Sequence, residues 1–147
     1  MSLSIGLVTL NAKFVHSSLS IRYLRNATKN KGFNNVWIQE FVISQPIWKI
    51  ASEILKQKPR ILGVSVYIWN RRQSLELIER LKKQDPTIAI VLGGPEVSFD
   101  MDSTELYTVI AGEGEAKWIE FLEHFKKKSI PSEETLKDWK SYGTNLP

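Results

Sequence analysis

The sequence predicts an α/β domain with five parallel strands, in the order 2-1-3-4-5, held between two layers of helices. Three observations predict it. Short apolar runs alternate with helix-period segments through residues 4–128. The first, third and fourth runs are nearly continuous in apolar residues, as strands buried on both faces are. Every connection between runs is long enough to hold a helix, which makes the strands parallel and the crossovers right-handed. This is a flavodoxin-like, or Rossmann-like, three-layer architecture.

Ile5–Leu10 reads as the first strand. Ser17 and Ser18 are placed to cap a first helix with Leu19, Tyr23, Leu24 and Ala27 on its inner side, and Gly32 ends it. Val36–Phe41 is a more polar strand, expected nearer an edge. Ile47, Ile50, Ala51, Ile54 and Leu55 follow the helical i, i+3, i+4, i+7, i+8 pattern, with Ser44 as its cap and Pro46 in its first turn. Ile61–Val66 is the third strand. Asn70 caps a helix whose Leu75, Ile78 and Leu81 face inward, and Pro86 closes it. Ile88–Leu92 is the fourth strand. A short helical turn is expected at 103–106, then a fifth strand at Tyr107–Ile110 and a final helix marked by Trp118, Ile119, Leu122 and Phe125. Trp37, Trp48 and Trp118 are assigned to packing. The domain is expected to occupy residues 1–128, with 129–147 a polar tail or linker.

Composition narrows the function. The chain has no cysteine, so it holds no disulfide, thiolate metal site or cysteine-bound iron–sulfur cluster of its own. No apolar run reaches the roughly 18–20 residues of a membrane span. The first residues lack the basic region and cleavage site of a signal peptide, so a cytoplasmic location is expected. The net charge of +4 permits nucleic-acid binding without arguing for it. The densest basic run, Lys126-Lys127-Lys128, falls at the end of a helix, where cations complement the dipole. Neither a nucleic-acid nor a membrane partner is expected.

In open α/β sheets, ligands bind beyond the carboxyl ends of the strands. Four loops meet there: Asn11, Ala12 and Lys13 through His16; Tyr67, Ile68, Trp69 and Asn70, directly after Ser65 and Val66; Gly93, Gly94, Pro95 and Glu96; and Gly112, Glu113, Gly114 and Glu115. Glycines let a backbone approach a ligand closely, and the loop after the third strand carries two large aromatics. The first loop has no G-x-G-x-x-G, no phosphate-binding P-loop occurs, and no aspartate ends the third strand. Of the two histidines, His124 reads as a surface residue of the last helix and His16 as a loop or capping residue.

The segments "SVYIWN", "GGPEVS" and "GEGE", in this order on successive strand ends, resemble the N-terminal cobalamin-binding-type domain of radical S-adenosylmethionine enzymes. "LNAKFVHSSLSIRYL" is similar to one branch, described as methyltransferases or iron–sulfur oxidoreductases. The resemblance covers residues 4–128. It implies that the strand ends hold a corrin ring. Asn11, Ala12, Lys13, Ser65, Tyr67, Trp69, Asn70, Gly93, Gly94, Pro95, Glu96, Gly112, Glu113, Gly114 and Glu115 would then line the cofactor. Tyr67 and Trp69 stand where a side chain lies against the lower face of the ring. The D-x-H-x-x-G sequence whose histidine ligates cobalt in cobalamin mutases is absent, so His16 is a poor cobalt ligand and base-off binding without histidine is implied. The family's C-x-x-x-C-x-x-C motif is absent too. S-adenosylmethionine and a [4Fe-4S] cluster would therefore belong to a downstream radical domain of a longer parent protein, the implied partner.

Two other readings stand beside this one. The domain could be a cobalamin-free, vestigial interaction module, or a self-contained enzyme using Glu96 or Glu113 as general base, for which no partner residue is found. Bulky residues at Gly93 or Gly94 are expected to abolish cofactor binding while leaving the fold intact.

Overall fold

A computed structural model describes residues 3–12, 19–67, 70–94, 102–110 and 114–128. Five strands form one sheet: β1 (Ile5–Asn11), β2 (Val36–Val42), β3 (Ile61–Ser65), β4 (Ala89–Gly93) and β5 (Thr108–Val109). All pairs are parallel and the order is β2-β1-β3-β4-β5, as the sequence predicts. Among the described residues four helices cover it: α1 (Leu19–Asn30), α2 (Ile47–Lys56), α3 (Arg71–Gln84) and α4 (Gly114–Lys128).

The period-2 alternation of the strands divides the core in two. Val8, Leu10, Val64, Val66, Ile90 and Leu92 pack beneath α2 and α3, against Ile50, Ile54, Leu77, Ile78 and Leu81. Ile5, Leu7, Ile61, Ala89 and Val91 point the other way, against Ile21 of α1 and Trp118, Phe121, Leu122 and Phe125 of α4. β1, β3 and most of β4 are therefore buried on both faces, which accounts for their unbroken apolar runs. β2 is half-exposed between its ends, as an edge strand is.

A buried polar contact ties α1 to α4. Trp118 Nε1 donates to Thr28 Oγ1 at 2.9 Å, and Thr28 Oγ1 donates in turn to the Leu24 carbonyl. Gly63 leaves room for the indole, since a Cβ there would lie 3.1 Å from Trp118. Thr28→Val should leave the indole N–H buried without an acceptor and destabilise the domain by about 1–3 kcal/mol. A melting curve of the variant checks this, with Thr28→Ser expected to recover most of the loss.

Several local expectations need correction. Tyr23 is 61% exposed, and the inner face of α1 is carried by Ile21, Leu24 and Thr28. Trp48 is also 61% exposed and does not pack, because Ile50, Ala51 and Ile54 already fill the buried face of α2. Ser44 is not the cap of α2. Pro46 occupies that position with no side-chain bond, and Gln45 Oε1 instead accepts from the Val42 N–H at 2.8 Å. Residues 103–106 hold no helical turn, and only Glu105 and Leu106 form a bend. There Thr104 Oγ1 accepts from the Leu106 N–H, so a side-chain oxygen takes an amide a helical turn would need, and Ser103 Oγ accepts from the Val109 N–H of β5. Ser17, Ser18 and the tail 129–147 lie outside the described residues.

Candidate functional site

β1 and β3 are adjacent, but their following helices lie on opposite faces of the sheet. The chain leaving β1 turns towards α1, and the chain leaving β3 turns towards α3. In open α/β sheets this reversal of strand order is where the loops part and leave a crevice beyond the strand ends. The register brings the strand ends to one level. Thr9 pairs with Ser65 and Ser65 with Gly93, a rung roughly 10 Å wide across the three central strands.

Asn70 closes the base of this crevice. It is fully buried. Its Nδ2 donates to the Leu10 carbonyl at 2.9 Å, and its Oδ1 accepts from the Tyr67 N–H at 2.8 Å. The residue does stand at the N-cap of α3, yet its side chain makes no cap bond to that helix. It serves the end of β1 and the loop after β3 instead. Ser65, also buried, accepts at its carbonyl from Thr9 Oγ1 at 3.3 Å, a second tie across the same two strands.

The two adjacent glycines after β4 differ in what the fold asks of them. Gly94 has φ +120°, and a Cβ there would stand 2.5 Å from the Val66 carbonyl oxygen. Both its conformation and its surroundings demand glycine. Gly93 continues the strand, and its carbonyl accepts from the Val66 N–H at 2.8 Å. A Cβ on Gly93 would meet nothing within 4 Å. Among the described residues, then, none makes a close contact that would demand a glycine at 93, in contrast to 94.

Of the other predicted site residues, Asn11 is buried at the end of β1 and its carbonyl accepts from the Ile43 N–H, while Ala12 is exposed beside it. Tyr67 is half-buried at the mouth of the β3 loop. Gly114 opens α4, with Glu115 half-buried in its first turn, where a carboxylate favours the helix dipole. Lys13, His16, Trp69, Pro95, Glu96, Gly112 and Glu113 lie outside the described residues. His124 is half-buried on α4 rather than fully on the surface. Among the described residues no cluster of histidine and carboxylate side chains could hold a metal ion, and no helix is long and apolar enough to cross a membrane.

At the strand-order reversal, Asn70 and Thr9 tie the ends of β1 and β3 together, and Gly93 and Gly94 end β4 beside them. Residues 5–121 match the model of the B12 binding domain family. The chain belongs to the B12-binding domain family. This B12-binding domain is 29% identical over 82 residues to the cobalamin-dependent radical SAM methyltransferase TokK of Streptomyces tokunonensis, a match covering 52% of the chain and 12% of TokK. Two solved structures share its fold. One is the cobalamin-dependent S-adenosylmethionine radical enzyme OxsB with aqua-cobalamin and S-adenosylmethionine bound, at TM-score 0.71 and 17% identity, over 86% of this chain and 19% of that one. The other is the radical S-adenosylmethionine methyltransferase TsrM from Kitasatospora setae with cobalamin and a [4Fe-4S] cluster bound, at TM-score 0.66 and 19% identity, over 87% and 25%. The B12-binding domain thus spans a quarter or less of these relatives.

Proposed function

We propose that this domain binds cobalamin base-off, with no histidine on the lower axial position, and presents it to a downstream radical S-adenosylmethionine domain of the same polypeptide. The observation that carries the reading is that, among the described residues, none approaches a Cβ on Gly93, beside the point where the strand order reverses. When bound, cobalamin supplies the cobalt that relays a methyl group, and the protein supplies orientation.

The residues divide by role. Gly93 brings the β4 backbone against the corrin, and Gly94 turns the chain so that Pro95 and Glu96 continue that wall. Tyr67 and Trp69 face the lower side of the ring. Asn11, Ala12 and Lys13 border it from β1, with the Lys13 ammonium suited to the phosphate of the nucleotide tail. Gly112, Glu113, Gly114 and Glu115 form the remaining wall. Ser65 and Asn70 act beneath, as supports. The chain has no cysteine, so S-adenosylmethionine and its cluster are assigned to the downstream domain.

The test is direct. Purified domain is mixed with hydroxocobalamin, passed through a desalting column and read in the visible range. About one retained equivalent with a base-off spectrum is expected. A base-on spectrum would remove the axial assignment. No retention at high micromolar ligand would favour a cofactor-free interaction module.

A further inference from the structure

The four described helices run back antiparallel to the strands, so their carboxyl ends gather at the amino end of the sheet, opposite the proposed site. Lys29 stands in the last turn of α1, Lys56 in that of α2, Lys82 and Lys83 in that of α3, and Lys126 to Lys128 end α4. Lys31, Lys58 and Arg60 follow in the connecting turns. Half of the chain's 20 cationic residues thus lie at one pole. In the same helix ends and turns stands one carboxylate, Asp85, and its Oδ1 is engaged by the N–H and hydroxyl of Thr87.

Helix dipoles do not absorb this charge. Each carboxyl end carries about −0.5 of an elementary charge, so four ends offer roughly −2. Lys29, Lys31, Lys56, Lys58, Lys83 and Lys127 are exposed, and among the described residues none pairs with a carboxylate. Lys58 carries a second signal. Its φ is +52°, the left-handed position after α2 where glycine or asparagine is favoured. The bond it makes there, from its N–H to the Leu55 carbonyl, needs no particular side chain. A cation is kept at 58 against the backbone's preference.

We propose that this pole binds the phosphate backbone of a nucleic acid, without base readout. It spans the width of five strands, roughly 19 Å, enough for about five or six successive phosphates of one strand. Protein–protein interfaces are depleted in lysine and enriched in aromatics. Here the composition is reversed: the exposed aromatics, Tyr23 and Trp48, lie towards the other ends of α1 and α2. The pole therefore fits phosphate better than a protein surface, contrary to the expectation from net charge alone.

Fluorescence anisotropy with a labelled 20-nucleotide RNA tests it on the intact chain. With five or six phosphates engaged, affinity should fall about 130- to 340-fold between 50 and 200 mM KCl. Lys31→Glu/Lys58→Glu should weaken binding at least tenfold. Lys49→Glu/Arg72→Glu, an equal change of net charge at exposed sites elsewhere, should change it less than threefold. Lys58→Gly should raise the melting temperature while weakening binding about twofold to fivefold, which separates loss of charge from loss of fold. Equal losses in the two double variants, no binding at 50 mM KCl, or tighter binding to polyglutamate than to RNA would each overturn the proposal.

Discussion

Gly93→Leu is expected to leave the melting temperature within a degree or two of the parent and to weaken cobalamin binding at least tenfold. A Cβ at 93 meets none of the described residues within 4 Å, so little cost to the fold is expected. The same space is where the corrin is proposed to lie, so the leucine competes with the ligand for it. Gly94→Ala is expected to do the opposite first. Its Cβ would be driven into the Val66 carbonyl at an unfavourable φ, which costs about 2–5 kcal/mol. For a chain of this size that corresponds to roughly 5–15 °C in melting temperature. Only the Gly93 variant reports on the cofactor. Thermal melts together with hydroxocobalamin titrations of both variants distinguish the two glycines, and unchanged affinity in Gly93→Leu would move the ligand away from β4.

Asn70→Leu is expected to destabilise the domain by about 2–5 kcal/mol, because it leaves the Tyr67 N–H and the Leu10 carbonyl buried without their partners. Asn70→Asp is more informative. A carboxylate keeps the acceptor for Tyr67 but cannot donate to Leu10 unless it is protonated. Burial and the facing carbonyl raise its folded-state pKa above the usual value of about 3.9. A folded state that holds the proton more tightly than the unfolded one is favoured at low pH. The deficit of this variant relative to the parent should therefore be smallest near pH 4 and grow as pH rises through the folded-state value. Urea titrations of both proteins at pH 4, 5.5 and 7 check this. A deficit independent of pH would mean that the donor to Leu10 contributes little.

The fold was legible because its signals are local. Unbroken apolar runs marked β1, β3 and β4, and the isoleucines of α2 marked one helix face. Errors arose where composition did not decide direction. α1 contains apolar residues around most of its circumference, so periodicity could not choose between Tyr23 and Ile21, and the polar Thr28 reached the core through its bond to an indole 90 positions away. Trp48 looked like core by type and is exposed because the buried face was already occupied. The family was legible because glycine-rich loops and strand ends can be aligned by order alone. The division of labour within the proposed site was not. Gly93 and Gly94 are the same letter, and only backbone geometry separates the one the fold needs from the one it does not. Asn70 was read correctly as a cap position, but its bonding partner is 60 residues back in the chain, beyond any local pattern.

β5 joins the sheet through only two residues, paired with Val91 and Leu92. Beyond that ladder, the described ties at this edge include the Val109 N–H to Ser103 Oγ and the Ile110 N–H to the Leu92 carbonyl. A segment held by so few bonds opens by local fluctuation at much lower free energy than the β1–β3–β4 centre, and its amides exchange with solvent long before the domain unfolds. In sequence, β5 is followed at once by Gly112–Glu115, proposed above as one wall of the cobalamin site. A ligand touching both that wall and the β4 glycines would couple the least stable edge to the most stable centre. Its binding free energy would then register as slowed exchange at β5, with little change at β1 or β3.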